Sequence, residues 1–270
     1  MPTPVGQWAA DAGFRPVFKP ERLGAPDFVS ALKSLPADAY VVAAFRILPE
    51  SVFTIPKYAL NLHASLLPAY RGAAPIQRAI MAGETRTGVT TFLLQKTVDT
   101  GAMLVQRDTA IAPEEDAGQL AVRLAQIGAG AVIDTLDLLE AGGFQPLAQD
   151  ESRASAAPKL VAADQRLDFG EPAERVINRV RALAPDPGGL VRHAEQVLKI
   201  FALKDAGPLC SDDRSGNVVL ADPKRGMIVA TADRRVSLEL IQPPGKRIQT
   251  GAEFVRGYRI KTGDRLQPVS

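Results

Sequence analysis

Cysteine, histidine and tryptophan are scarce in this chain, which has one, two and one of them among 270 residues. Cys210 cannot form an internal disulfide, and no second cysteine or histidine lies near it at the spacing of metal ligands. The sequence therefore encodes neither a disulfide framework nor a zinc cage. We expect no metal site, and we interpret Cys210 as chemically inert.

Long apolar runs are also missing. No apolar segment approaches the roughly 20 residues that a membrane-spanning helix needs. The N-terminus lacks a basic segment followed by an apolar one, so it does not resemble a secretory signal. We therefore expect a cytoplasmic protein without a membrane partner. The composition, 46% apolar and 23% charged, is typical of a globular chain with one or two domains.

Charge is unevenly distributed although the net charge is only +2. Residues 224–265 hold ten basic and four acidic side chains, a local charge of +6. Such a segment can form a surface that binds a polyanion through its phosphates. It can equally be a solvated basic face without a partner, and charge alone does not decide between the two.

Strand-like and helix-like segments alternate in the first half of the chain, which predicts an open, mostly parallel Rossmann-like α/β sheet. The segment AYVVAAF is continuously apolar, so we expect a strand that is buried on both faces. The predicted strands are 39–45, 59–63, 88–95 and 102–111, and the predicted helices are 74–82 and 116–141.

The second half has a different pattern. Residues 142–158 lose periodicity and collect small and polar side chains, as a linker does. A helix is predicted over 172–184, followed by short β-like runs separated by turns, which favours a small barrel or sandwich. We therefore predict a first domain over 1–141, a linker over 142–158 and a second domain over 159–270.

The segment NLHASLLPAYRGAAP, residues 61–75, contains the strongest candidate site. Asn61 and His63 are two residues apart on a predicted strand, so their side chains point to the same face. Pro68 ends the strand, which places both groups at a strand end, where open α/β sheets bind ligands. An amide can hold an oxyanion and an imidazole can move a proton. Asp99, on the turn after the next strand, is the best candidate to favour the charged histidine.

Less specific interpretations remain open at this point. His63 can be a packed histidine that is satisfied by backbone groups, and Asp99 can be an ordinary turn residue ahead of Gly101. The tripeptide Asp-Thr-Gly also occurs in aspartic proteases, which need two carboxylates that share a proton. This chain has no second such tripeptide, so that chemistry would require a dimer.

Residues 61–104, from NLHASLLP to VDTGAML, resemble the catalytic segment of the methionyl-tRNA formyltransferases, a branch of the folate-dependent formyltransferase family. The resemblance continues through APKLVAADQRLDF, PAERVINRVRAL and IQPPGKRIQTGAEFVRGY, and so covers nearly the whole chain. RGAAPI and these C-terminal segments favour the tRNA-specific branch over relatives that act on sugar amines or glycinamide ribonucleotide.

The resemblance implies transfer of a formyl group from 10-formyltetrahydrofolate to the amino group of methionyl-initiator tRNA, for translation initiation. Asn61 and protonated His63 would hold the oxyanion that forms at the formyl carbon. Asp99 would orient His63 and help to remove the amine proton. The second domain, similar to an OB-like barrel, would bind tRNA phosphates. The family implies no metal, and we expect a monomer.

The resemblance also implies a folate pocket. In this pocket Arg46 stands where family members often have glycine. The residues expected to border the folate are Ser65, Leu66, Leu67 and Pro68, together with Ile47 and Leu48 of the loop FRILP, residues 45–49.

Two departures from the family pattern are visible. A βαβ opening of about 30 residues or more has no counterpart here, so we expect an N-terminally truncated sheet. A misassigned start, a decayed gene or a partner that supplies the missing strands would each explain it. PDPGG, residues 185–189, lacks a tryptophan that is frequent there in the family. Two alternatives therefore stay open: a non-catalytic tRNA-binding form, and formyl transfer to an amino sugar.

Overall fold

The structure, a computed structural model, describes residues 4–43 and 47–269. The first half forms a four-stranded sheet with the order β1-β2-β3-β4 and five helices. Its elements are α1 (Pro4–Asp11), α2 (Pro26–Lys33), β1 (Ala39–Ala43), α3 (Glu50–Phe53), β2 (Tyr58–His63), α4 (Pro75–Met81), β3 (Arg86–Leu93), β4 (Met103–Ala110) and α5 (Ala117–Ala141).

The first sheet is mixed, so the prediction of a mostly parallel sheet is wrong for the strands that the structure describes. Strands β1 and β2 are parallel, whereas β2–β3 and β3–β4 are antiparallel. The short turn between β3 and β4 permits only a hairpin, and α4 returns the chain to the end of the sheet where β2 finishes. Residues 64–85 are long enough for a parallel crossover, but they start β3 beside the end of β2, where His63 pairs with Thr90.

Strand β1 also differs from the prediction of burial on both faces. No residue of β1 is fully buried, and Val41 is 44% exposed. Among the described strands, β1 pairs only with β2, so it is an edge strand with one open side. A continuous apolar run identified the strand correctly but not its position in the sheet.

Helix α5 covers one face of this sheet, as the apolar spacing predicts. A capping box starts the helix. The Asp116 side chain accepts from the backbone amide of Gln119, and the Gln119 side chain accepts from the backbone amide of Asp116. Gly128 lets the helix approach β2 closely, since a Cβ there would lie 2.7 Å from Leu62. The buried positions recur every three or four residues: Ala117, Leu120, Leu124, Gly128, Ala131, Thr135 and Leu139.

The second half is an antiparallel seven-stranded sheet with two helices. Its path runs β11-β5-β6-β9-β8-β7, and β10 pairs with β9. The elements are α6 (Ala173–Leu183), β5 (Gly189–His193), β6 (Gln196–Pro208), β7 (Val218–Asp222), β8 (Gly226–Ala230), β9 (Arg234–Gln242), β10 (Gln249–Thr250), α7 (Gly251–Gly257) and β11 (Leu266–Pro268).

The second sheet curls until its two ends meet, which confirms the predicted barrel-like β domain in outline, while its OB-like character stays a prediction. The amide of Val218, at the start of β7, donates to the Asp264 carbonyl at 2.8 Å, and Leu266 of β11 donates to the Gly216 carbonyl at 2.7 Å. These bonds join the outermost strands of the path. Apolar side chains of the curled sheet and of α6 fill its interior.

Helix α6 contributes to the cores of both halves. Val176 and Val180 are fully buried in the core of the second sheet. Ala182, on another side of the same helix, belongs to the core under α4 and α5. Among the described residues, no helix is both long and apolar enough to cross a membrane.

The predicted linker is ordered along the first half. Leu147 exchanges backbone hydrogen bonds with Met103 of β4, and a single 3₁₀ turn covers Glu151–Arg153. Ala156 then pairs with Arg71 in a parallel bridge. The segment therefore crosses the loop that follows β2.

Candidate active site

The site lies on the face of the first sheet that is turned away from α5. Leu62 of β2 and Thr91 of β3 are paired neighbours, and both contact α5: Leu62 through Gly128, and Thr91 through the Thr135 hydroxyl at 2.6 Å. Because side chains alternate along a strand, Asn61 and His63 point to the opposite face. The predicted common direction of these two side chains therefore agrees with the strand register.

His63 is 6% exposed and has both ring nitrogens facing acceptors. Its Nε2 donates to the Tyr70 carbonyl at 2.8 Å, since a carbonyl oxygen can only accept. Its Nδ1 lies 3.7 Å from Oδ2 of Asp99, within ion-pair range but longer than a hydrogen bond. Both ring nitrogens of His63 therefore face oxygens that can accept a hydrogen bond.

Asp99 lies in the turn between β3 and β4 with its side chain 12% exposed. Its φ of +55° is left-handed, a region that aspartate tolerates better than most residues. The Gly72 amide donates to Oδ2 at 2.8 Å, so the oxygen that faces His63 is fixed from a second direction. The structure thus brings together two predicted site residues from separate elements of the fold.

Asn61 is half-buried on β2, between Val42 of β1 and Phe92 of β3. Within residues 4–43 and 47–269, its side-chain amide has no hydrogen-bond partner. A free amide donor on the same face of the strand as the His63 ring can bind an oxygen that gains negative charge. This free donor is the feature that a substrate oxygen requires.

Two backbone groups complete the site, and the sequence reasoning missed both. They are the carbonyl of Tyr70 and the amide of Gly72. The Tyr70 backbone is left-handed, with φ +61°, and its hydroxyl donates to Oε1 of Glu84 at 2.7 Å. Burial and the neighbouring Glu84 carboxylate raise the pKa of the Tyr70 phenol well above its usual value, so it stays neutral and keeps this bond. The only sequence signal for this turn is the Tyr-Arg-Gly order after the proline.

The loop after β2 is held internally. Ser65 is fully buried, and its hydroxyl donates to the Ala69 carbonyl at 2.6 Å. Thr90 of β3 donates to the Ser65 carbonyl at 2.7 Å and accepts from the Leu67 amide at 3.1 Å. These bonds fix the path that brings Tyr70 to His63.

The residues predicted to border the folate differ in accessibility. Ser65, Leu67 and Pro68 are buried, and Leu66 is half-buried. Ile47 is 77% exposed and Leu48 is half-buried. Phe45 and Arg46 of the same loop lie outside the described residues, and the folate-binding role of the whole set stays a prediction.

Comparison with known families identifies the fold. Residues 2–136 match the model of the formyl transferase family, and residues 159–259 match that of the formyl transferase C-terminal domain. The chain belongs to the formyl transferase family. Asn61, His63 and Asp99 all lie within the first matched region of this formyl transferase.

Relatives of known name cover almost the whole formyl transferase chain. Methionyl-tRNA formyltransferase of Dictyoglomus thermophilum is 36% identical over 271 residues, which cover 99% of this chain and 86% of the relative. The protein of the same name from Chlorobium phaeovibrioides is 43% identical over 266 residues, covering 97% and 82%.

Solved structures support the fold at lower identity. HypX from Aquifex aeolicus, in complex with tetrahydrofolic acid, has a TM-score of 0.66 and 21% identity, covering 86% of this chain and 41% of HypX. WlaRD, a sugar 3N-formyl transferase, has a TM-score of 0.64 and 17% identity, covering 89% and 81%. At these identities, the likeness concerns the fold alone.

Proposed function

We propose that this formyl transferase moves the formyl group of 10-formyltetrahydrofolate to the amino group of methionyl-initiator tRNA, the step that prepares this tRNA for translation initiation. The observation that carries the proposal is the pairing of His63 with Asp99 beside the free amide of Asn61. Relatives at 36 and 43% identity over nearly the full chain support the choice of substrates.

In the proposed reaction, the donor supplies a formyl carbon whose carbonyl oxygen gains negative charge when the methionyl amine attacks. The Asn61 amide and the His63 ring lie where they can hold that oxygen, and one preorganised donor of this kind contributes about 3 kcal/mol to barrier lowering. His63 must exchange one present acceptor, such as the Tyr70 carbonyl, for the substrate oxygen.

Asp99 has two roles in this proposal. Its carboxylate faces Nδ1 of His63 and so stabilises the charged ring. It is also the carboxylate nearest to the ring, so it can take the proton that the amine loses on attack. The C–N bond to the folate then breaks, and that nitrogen receives a proton as tetrahydrofolate leaves.

The residues present fit the formyl end of the donor better than its ring system. Asn61 has a free donor, and Ile47 is apolar and 77% exposed, as a residue that contacts a bound folate would be. Ser65, Leu67 and Pro68 are buried, so their side chains can contact a folate only if the loop moves. We assign residues 1–141 to formyl transfer, 142–158 to the linker, and 159–270 to an OB-like domain that binds tRNA.

A basic patch on the second half supports the tRNA assignment. Arg256 at the end of α7 donates to the Pro223 carbonyl at 2.8 Å, which joins α7 to the β7–β8 turn. The Thr262 hydroxyl accepts from the Ala221 amide of β7 at 3.2 Å, so the loop after α7 also lies beside the β7–β8 turn. The patch consists of five exposed side chains that form no ion pair among the described residues: Lys224, Arg225, Arg256, Arg259 and Lys261. Such a group can neutralise successive phosphates.

The assignment is tested with purified protein, 10-formyltetrahydrofolate and charged initiator tRNA. We expect formyl-methionyl-tRNA from the natural chain and a loss of turnover in His63→Ala. His193→Ala is the matched control, because His193 lies in the second sheet and is the only other histidine. Wild-type turnover in His63→Ala would contradict the assigned site.

The same assay separates the two alternatives. Salt-sensitive tRNA binding without formyl transfer would identify a non-catalytic binding form. Formylation of a sugar-nucleotide amine in preference to charged tRNA would identify an amino-sugar enzyme. Cytoplasmic location and a monomeric state stay predictions.

A further inference from the structure

The side chain of Gln149 holds the backbone that directly follows the Asp99 side chain. Its Nε2 donates to the carbonyl of Asp99 at 2.9 Å and to that of Gly101 at 2.8 Å. Its Oε1 accepts from Nε and Nη2 of Arg71 at 3.0 and 2.7 Å. Rotation of the amide would place its oxygen against two carbonyls and its NH₂ against the guanidinium, so only one orientation is satisfied.

Arg71 is itself fixed. Its guanidinium is 15% exposed and forms a two-bond pair with the Glu151 carboxylate, both at 2.8 Å. Its backbone amide donates to the Ser155 carbonyl at 2.8 Å, and its carbonyl accepts from Ala157 at 2.6 Å. The guanidinium therefore presents a rigid pair of donors to Gln149.

The same linker segment supports both neighbours of His63. The Tyr70 amide donates to the Ser155 hydroxyl at 2.9 Å, which holds the residue whose carbonyl accepts from Nε2 of His63. Gln149 holds the turn whose carboxylate faces Nδ1 of His63. The left-handed backbone of Asp99 is a sparsely populated conformation, and the surrounding structure has to impose it.

We propose that Gln149 is a positioning residue that holds Asp99 against His63, with Arg71 fixing the orientation of its amide. It touches no reacting atom and acts through the backbone of the Asp99 turn. The consequence for turnover rests on the proposed function, whereas the consequence for the His63 ring does not.

The kinetic test compares two substitutions at this position with one in the same linker. Gln149→Glu replaces the donor with an oxygen that faces two carbonyls, and Gln149→Met removes the bonds without adding charge. Displacement of a catalytic group by about 1 Å lowers turnover by up to about 100-fold. We expect Gln149→Glu to lower kcat by roughly 10- to 100-fold at unchanged KM for both substrates, and Gln149→Met to lower it less. Gln145→Glu, exposed and four residues upstream, should keep the natural kcat.

A spectroscopic test makes the inference independent of activity. The chain has only two histidines, so the imidazole NMR signals of His63 can be assigned against those of His193, which is bonded to Asp264 at 3.0 Å in the second half. We expect both Gln149 variants to shift the His63 signals and leave those of His193 in place. The Gln145 control should shift neither.

Three results would overturn the inference. They are His63 signals that do not change in Gln149→Met, signal shifts of equal size for His63 and His193, and a kcat of the Gln149 variants equal to that of Gln145→Glu. If Gln149→Glu unfolds the protein, Gln149→Met alone decides by the same criteria. Absence of formyl transfer in the natural chain, with His63 signals that still respond to Gln149, would refute the proposed function and keep this inference.

Discussion

The amide of Gly72 donates to Oδ2 of Asp99 at 2.8 Å, and that same oxygen lies 3.7 Å from the ring of His63. A main-chain group on the loop after β2 thus orients a carboxylate from the β3–β4 turn. The backbone at Gly72 also passes close to the linker, since a Cβ there would lie 2.5 Å from the Ala157 carbonyl.

Gly72→Ala tests this relationship. The φ of +126° strains an alanine, and its methyl group collides with the Ala157 carbonyl, so the loop has to move away from Asp99. We expect a fall in kcat of roughly 10- to 100-fold and a loss of about 1–3 kcal/mol in the free energy of unfolding. Gly143→Ala is the control, with a φ of +71° and no atom within 4 Å of the added methyl. It should lose only about 1 kcal/mol and keep its kcat, and equal kcat losses would refute the explanation.

Asp99→Asn removes the charge that faces His63 but keeps the shape of the side chain. The asparagine oxygen can still accept from Gly72, so the fold should persist while the imidazolium loses its counter-charge. We expect kcat to fall by about 100-fold or more, with an unchanged melting temperature. Asp137→Asn, on the exposed face of α5, supplies the control for loss of one carboxylate. A variant as active as this control would exclude a catalytic role for the Asp99 charge.

The basic patch predicts how tRNA binding depends on salt. Removal of Lys224 and Arg225 together should weaken tRNA binding and flatten the plot of log affinity against log salt by roughly 0.7 to 0.9 for each lost phosphate contact. The double variant Lys19→Ala with Lys33→Ala removes the same charge from exposed positions in the first half. Equal slopes for the two double variants would mean that the patch does not contact the tRNA.

Glu253 predicts a pH-dependent contribution to stability. The hydrogen bond from Arg247, followed by those from the Thr250 backbone and side chain, lowers the pKa of Glu253 to about 2 from its usual 4.5. Because the folded pKa is depressed, the stabilisation is fully present above pH 4.5 and is lost as the pH falls towards 2. The melting temperature of Glu253→Gln should therefore lie below that of the natural chain at neutral pH and approach it on acidification. Arg247→Gln removes the first of these bonds, so in that background Glu253→Gln should change the melting temperature less over the same pH range. A melting-temperature difference between Glu253→Gln and the natural chain that does not vary with pH would contradict the pairing of Arg247 with Glu253.

The sequence predicted the elements of the fold better than their arrangement. The capping residue Asp116 and the apolar spacing after it are local signals, and α5 begins and ends close to where they place it. The direction of β3 and the exposure of β1 depend on how the chain returns to the sheet. Hydrophobic periodicity carries no information on that return, so the prediction of a mostly parallel sheet held only for β1 and β2, and the predicted burial of β1 was wrong.

The candidate site was likewise predicted only in part. Asn61, His63 and Asp99 were found from their side-chain chemistry, and the structure places the last two within ion-pair range of each other. Their catalytic roles stay predictions. The supporting carbonyl of Tyr70 and amide of Gly72 are backbone groups that every residue has, so only the three-dimensional path of the loop identifies them. Gln149 lies in a segment that sequence reasoning treated as a plain connection.

Helix α6 has a consequence for how the molecule melts. Val176 and Val180 are packed inside the curled sheet, while Ala182 packs under α4 and α5. If either core unfolds, α6 loses part of its packing. The other core then loses stability as well, because it contains side chains of the same helix. We therefore expect one cooperative thermal transition for the whole chain, in which the half that carries His63 and the half that carries the basic patch form a single folding unit.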